Sequence, residues 1–148
     1  MKPVHTWIVV ADGQRARFFH HAGIGKGLGA AMNHDMAQSL VPNRERERDE
    51  PGRKADAGHG GSRVEPSVDY HEFDKERFAN DVSRVLNKAR AENQYDRLVL
   101  VAPPKTLGYL REELDKHTRD LVYGELHKDL THQREDQILK HLGEVMAV

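Results

Sequence analysis

Hydrophobic positions change period once along this chain, and the change divides it into two halves. Before residue 42 the pattern is extended. Val4 to Ala11 (VHTWIVVA) is β-branched and aromatic, Asp12-Gly13-Gln14 is a tight-turn signal, and Arg15 to His20 (RARFFH) resumes the extended pattern. Val4–His20 is therefore predicted to form a β-hairpin. Asn33 to Val41 (NHDMAQSLV) supplies a third strand. After residue 66 the spacing becomes helical: Phe78, Val82, Val85, Leu86 and Ala89 share one face, predicting an amphipathic helix over roughly Tyr70–Asn93. Asp96 to Ala102 (DRLVLVA) is a short, nearly continuous apolar run, the pattern of a strand covered on both faces, with Leu98 to Val101 at the centre of the core. Pro103-Pro104 ends it, Leu107, Leu110 and Leu114 mark a second helix, and Leu121 to Leu126 (LVYGEL) suits another strand. Thr131 is positioned to cap a last helix, whose buried face is Ile138, Leu139, Leu142 and Met146.

The predicted order is β-β-β-α-β-α-β-α: three antiparallel-type strands, then right-handed crossovers into parallel ones. It is similar to the ribonuclease H-like plan, an α/β fold with a mixed five-stranded sheet and helices on its faces. Between the two halves lies Pro42–Pro66, with six Lys/Arg, six Asp/Glu, four glycines and three prolines in 25 residues, and only Ala55, Ala57 and Val64 as apolar side chains. Such a segment buries too little apolar surface to offset the entropy of ordering it. Residues 43–66 therefore read as a mobile charged loop inside one domain spanning residues 1–148. A structureless loop of this length is usually either functional or disordered.

Composition narrows the picture. A formal net charge of −1 provides no global field toward nucleic acid or acidic membrane, so any such contact must be local. Cysteine is absent, which excludes disulfides, thiolate catalysis and cysteine-based zinc sites. The apolar run Trp7–Ala11 is far too short for a signal-peptide core or a membrane span, and the expected location is cytoplasmic.

Several candidate chemistries are weakened by their spacing. Gly23–Gly29 (GIGKGLG) invites a phosphate-loop reading, yet Leu28 stands where GxGxxG needs glycine, and Gly25-Lys26 is followed by Gly27 instead of Ser or Thr. A two-metal nuclease needs converging carboxylates. Asp12 ends the first strand, but the central strand ends in Ala102-Pro103-Pro104, so Asp12 reads as the initiator of the hairpin turn. The ten histidines show no HExxH or similar pattern, and no metal or other cofactor is expected. Ser62 with His59 as base lacks a third, orienting group. The Arg44–Asp49 run alternates in sign and reads as a self-neutralising solvated stretch. One further site follows from architecture, because ligands of open α/β sheets lie beyond the carboxyl ends of parallel strands. There Lys105, Thr106, Tyr109 and Arg111 open a helix whose N-terminus favours anions. The structural alternative is that Leu107 and Leu110 pack, Gly108 allows close helix contact, and Arg111 pairs with a Glu on a neighbouring turn.

VVADGQRARFF, GRKADAGHGGSR, RFANDVSRVLNKAR, YDRLVLVAPPKTLGYLR and ELHKDLT together resemble the bacterial host attachment protein family across nearly the whole chain. That family in turn resembles the middle domain of archaeal and eukaryotic class-1 peptide release factors, a ribonuclease H-like domain with a Gly-Gly-Gln loop just before a long helix. The corresponding segment here is Gly58-His59-Gly60-Gly61-Ser62-Arg63, so Ser62 stands at the glutamine position. The resemblance implies that paired glycines carry backbone into the peptidyl-transferase centre, using conformations closed to other residues. It also implies that glutamine helps position water against the ester carbonyl. Serine is shorter and lacks the carboxamide. Ribosome-directed binding survives that change, whereas peptidyl-tRNA hydrolysis, the leading enzymatic reading with Ser62 as its candidate residue, is weakened by it.

Two functions from different classes follow. One is a non-catalytic RNA- or ribosome-associated module that makes contact through Arg53, Lys54, Gly60, Gly61, Ser62 and Arg63. The other is a cytoplasmic protein-interaction factor in a pathway leading to attachment to host cells. Neither specifies an oligomeric state.

Overall fold

The computed structural model describes residues 3–33, 35–38 and 64–148. Strands β1 (Thr6–Ala11) and β2 (Arg15–His21) form the predicted hairpin. Its turn is held by Asp12, whose Oδ1 accepts the N–H groups of Gln14 and Arg15, each at 2.7 Å. Two-residue strands follow, β3 (Gly29–Ala30) and β4 (Met36–Ala37), both antiparallel to β2. The sheet thus has six strands where the pattern predicts five. The physical reason is that Ala31–Asn33 bends away between β3 and β4, so β2 is covered in two short pieces instead of one continuous strand.

Helix α1 (Val64–Ala91) begins six residues before the predicted start and takes in the last three residues of the stretch read as loop. Pro66, in its first turn, is no obstacle, because first-turn N–H groups have no helical partner. The helix ends in a Schellman arrangement: Asn93 adopts φ 60°, the Gln94 amide donates to the Ala89 carbonyl at 3.0 Å, and that of Asn93 donates to Arg90 at 2.9 Å. Strand β5 (Arg97–Val101), helix α2 (Pro104–Glu113), strand β6 (Val122–Leu126) and helix α4 (Glu135–Leu142) occupy the predicted places. A short helix α3 (Lys116–Asp120) was not foreseen; Asp115 caps it by accepting the Thr118 N–H at 2.8 Å. The cap of α4 is Arg134, not Thr131, whose hydroxyl is engaged elsewhere.

The main strand order is β3-β2-β1-β5-β6, with β1, β5 and β6 parallel to one another. Alternation along β1 and β5 divides the core. Trp7, Val9, Leu98 and Leu100 face Phe78, Val82 and Leu86 of α1 and Leu107 and Leu110 of α2. Ile8, Val10, Val99 and Val101 face Ile138, Leu142 and Met146 on and after α4. Leu139 is only half-buried. Gly25 and Gly27 have φ of 78° and 69°, left-handed values that side chains disfavour. They let the β2–β3 connection turn so that the Gly25 amide meets the Val148 carbonyl at 2.9 Å.

His20 and His21 point to opposite sides of β2, as adjacent strand residues must. His21 is buried, whereas half-buried His20 stacks on His5 with ring centroids 5.0 Å apart. Burial, then the neighbouring His5 and His21, holds the His20 pKa below its ordinary value.

Truncating Leu98 or Leu100, both fully buried, to Ala is expected to cost about 2–5 kcal/mol in urea denaturation, through lost transfer energy and a residual cavity. A loss well under about 1 kcal/mol at both would remove β5 from the centre of the core. A second expectation concerns pH. The unfolded chain takes up the His20 proton near the ordinary pKa of about 6.5 and the folded chain only at lower pH, so stability must fall as pH drops below that value. His20→Gln should make the decline between about pH 7 and pH 5 shallower in thermal melts, and an unchanged slope would clear His20 of any part in it.

Candidate functional site

The parallel strands end together, at Ala11, Val101 and Leu126, and the segments leaving this rim carry the polar groups of interest. Gln38, the last described residue before the charged stretch, is fixed at the same rim. Its amide donates to the Gln14 carbonyl at 2.6 Å and its side chain to the Asp74 carbonyl at 3.0 Å. Arg53, Lys54, Gly60, Gly61, Ser62 and Arg63 lie outside the described residues.

The four rim residues read as anion-binding are not gathered around one point. Thr106 is buried on the inner face of α2. Arg111 lays its fork on Glu125 of β6, with Nε 3.0 and 2.9 Å from the two carboxylate oxygens, so its partner comes from a strand and not from a neighbouring helical turn. That pairing raises the Arg111 pKa further. Lys105 and Tyr109 do converge, on Glu72 of α1: the tyrosine hydroxyl donates to Oε2 at 2.8 Å, and the lysine ammonium lies 3.3 Å from the same oxygen. The Tyr109 bond, followed by Lys105, holds the Glu72 carboxyl below its usual range, and Glu72 in turn pushes the Tyr109 hydroxyl up to about 12. Gly108 allows no close helix contact, because a Cβ there would meet nothing within 4 Å.

A second cluster joins the hairpin turn at Asp12 and the following strand to the KDLT segment after β6. The buried Thr131 hydroxyl lies 2.9 Å from Asp12 Oδ2 and 2.9 Å from Asp129 Oδ1, tying the hairpin turn to the segment after β6. Arg17 strengthens the same junction by donating to the carbonyls of Thr131 at 3.3 Å and Gln133 at 2.6 Å. Beside it opens a cleft of about 500 Å³ whose walls include Arg15, Arg17, Asp35, Thr131, His132 and Arg134. The sequence carried one signal for it: Arg15 and Arg17, two apart on a strand, share a face. Its opposite wall comes from residues more than a hundred positions later, which no local pattern connects. Chemically the cleft offers cationic hydrogen-bond donors for an anion. Among the described residues, no three His, Asp or Glu side chains are grouped so as to hold a metal ion.

The domain is a mixed six-stranded α/β sheet with helices on both faces and polar side chains gathered at its carboxyl rim. A model described as bacterial archaeo-eukaryotic release factor family 12 matches residues 5–142, and the chain belongs to that family. It is also similar to the uncharacterized protein RP470 of Rickettsia prowazekii (strain Madrid E), with 32% identity over 80 residues. That alignment covers 53% of this chain and 53% of the relative, so the chain spans about half the relative's length. The family match supports the release-factor side of the resemblance, and neither match carries the host-attachment name. Among the described residues, no helix is long and apolar enough to cross a membrane.

Thr131→Val keeps the shape of this junction and deletes its hydroxyl, so it should cost about 0.5–1.5 kcal/mol in chemical denaturation, the range for a hydrogen bond whose partners, half-buried Asp12 and exposed Asp129, can take water instead. Thr131→Ser should retain most of the stability. Equal stability of all three proteins would show that the hydroxyl ties nothing together.

Proposed function

We propose that the chain is a release-factor-like module of translation that associates with the ribosome or RNA without catalysing release. The observation that carries the reading is the family match over residues 5–142, within which the Gly58–Arg63 segment stands just before the long helix α1, as the release-factor loop does. The ribonuclease H-like plan belongs to the same reading. It is supported by the order β3-β2-β1-β5-β6 and by the antiparallel-then-parallel pairing about β1. In this reading Gly60 and Gly61 carry backbone into a narrow ribosomal space, Ser62 and Arg63 meet the partner there, and Arg53 and Lys54 supply charge toward phosphates. Of the rim residues Lys105, Thr106, Tyr109 and Arg111, Lys105 and Tyr109 are a subsidiary anion contact, available only when they release Glu72. The setting is the cytoplasm, where translation takes place.

Ester hydrolysis is not part of the proposal. Positioning water at an ester carbonyl demands close geometry, and a serine at the glutamine position is shorter and has no carboxamide.

Sedimentation with ribosomes across a salt series tests this. The wild-type chain should co-sediment, and changing Arg53, Lys54 and Arg63 together to Ala should lower its affinity and flatten the salt dependence. Peptidyl-tRNA hydrolysis should stay at background in the wild type and in Ser62→Ala. Gain of hydrolysis in Ser62→Gln alone would mark an inactivated release-factor scaffold. Failure of every variant to bind ribosomes would sink the reading and leave the interaction-factor alternative.

A further inference from the structure

The cleft between β2, β4 and the segment before α4 has a use of its own. Arg17 is held there in one pose. Its guanidinium lies over the Phe19 ring, 5.0 Å from the centroid, and both hydrogens of Nη1 are engaged by the Thr131 and Gln133 carbonyls. What remains is the Nε/Nη2 edge, the planar pair of donors that suits two oxygens of one anion. Asp35 approaches that edge, but Nε and Oδ2 are 3.8 Å apart, too far for a hydrogen bond, and the Asp35 side chain is 60% exposed. The edge is therefore attended by a loosely placed carboxylate that a better ligand can displace. Exposed Arg15 stands on the same face of β2 without an ion-pair partner among the described residues. Among the described residues Arg134 pairs only with Asp136, at 3.5 Å with both side chains largely in solvent, a contact worth little. Among the described residues, three guanidiniums thus line a cleft whose lining holds one carboxylate, Asp35, while Asp12 and Asp129 engage the Thr131 hydroxyl in its wall.

We propose that this cleft binds phosphate groups, and specifically the backbone of single-stranded RNA. A fixed guanidinium edge and a second, free guanidinium can share the two non-bridging oxygens of one backbone phosphate. About 500 Å³ accommodates a small ligand or a short single-stranded segment. His132, also in the lining, provides an aromatic ring on which a base can stack. The inference is independent of the ribosomal reading, because it uses none of the residues between 39 and 63.

The test uses the full chain and a fluorescein-labelled ten-nucleotide RNA of mixed sequence, read by anisotropy across a salt series. Arg15→Glu is the main variant, since this exposed side chain supports nothing else, and its melting temperature should match the wild type. It should weaken binding about tenfold and lower the slope of log affinity against log salt by about one. Asp35→Asn should tighten binding about two- to fivefold by removing the competing carboxylate. In ¹⁵N NMR of the wild type, the RNA should shift the Arg17 Nε–H signal. Inorganic phosphate and AMP separate the sources of the phosphate: saturation by either at lower concentration than the RNA assigns the site to a free phosphate ligand, and affinity that rises with RNA length assigns it to the backbone. Affinities of both variants within about twofold of wild type would overturn the proposal. So would a deca-glutamate peptide binding as tightly as the RNA, which would make the cleft a general acidic-peptide site. RNA binding that survives while ribosome association fails sinks the function proposed above and leaves the cleft standing.

Discussion

The parallel pairing of β1 with β5 is the constraint on which everything else depends. Every residue of β1 is buried, and so are Leu98 to Val101 of β5, so the pair contributes apolar side chains to both layers at once. Its register sets Trp7 beside Leu98 and Ile8 beside Val99. A slip of one residue would exchange the sets that meet α1 and α4, placing the small β-branched residues where the leucines fill space. The same pairing brings Ala11 and Val101 to one rim. That is why the Asp12 turn, the start of α2 and the segment after β6 are neighbours at all.

Much of this fold was legible because burial on two faces writes itself into sequence. The run RLVLV and the face Phe78, Val82, Leu86 need no partner information to be read. What escaped was short or governed by backbone. β3 and β4 have two residues each, below the length at which any period shows. Helix α3 is a single capped turn, announced only by Asp115 three residues before Thr118. The early start of α1 was hidden because the charged, apolar-poor composition of the stretch before it continues through Glu65 and Pro66, while a first helical turn needs neither apolar residues nor free N–H groups.

The site was less legible, for a different reason. Lys105 and Tyr109 were recognised as rim residues, but the acceptor that holds them, Glu72, sits 33 and 37 positions earlier on another helix. The cleft is more extreme: Arg17 and Gln133 are 116 residues apart, and their contact is between a side chain and a backbone carbonyl that any residue would supply. Thr131 illustrates the ambiguity well. A threonine shortly before an amphipathic run reads as a cap, and only the arrival of Asp12 from the other end of the chain gives its hydroxyl a better partner.

The separation of β1 from β5 also bears on how the chain comes into being. Ile8 waits for Val99, so about 90 residues must be synthesised after β1 before its second edge is covered, on the order of 5–20 s at ordinary translation speeds. Through that interval the nascent hairpin presents Trp7 and Phe18 on one side and Ile8 and Phe19 on the other; α1, which covers the first side, is complete only at Ala91, and α4, which covers the second, follows β5. The Pro42–Pro66 segment that separates the hairpin from the rest of the sheet is charged and almost free of apolar residues, so it offers the hairpin few wrong partners. The closing contacts are formed between distant parts of the chain, late and together, which leaves apolar surface open to wrong partners until β5 has left the exit tunnel.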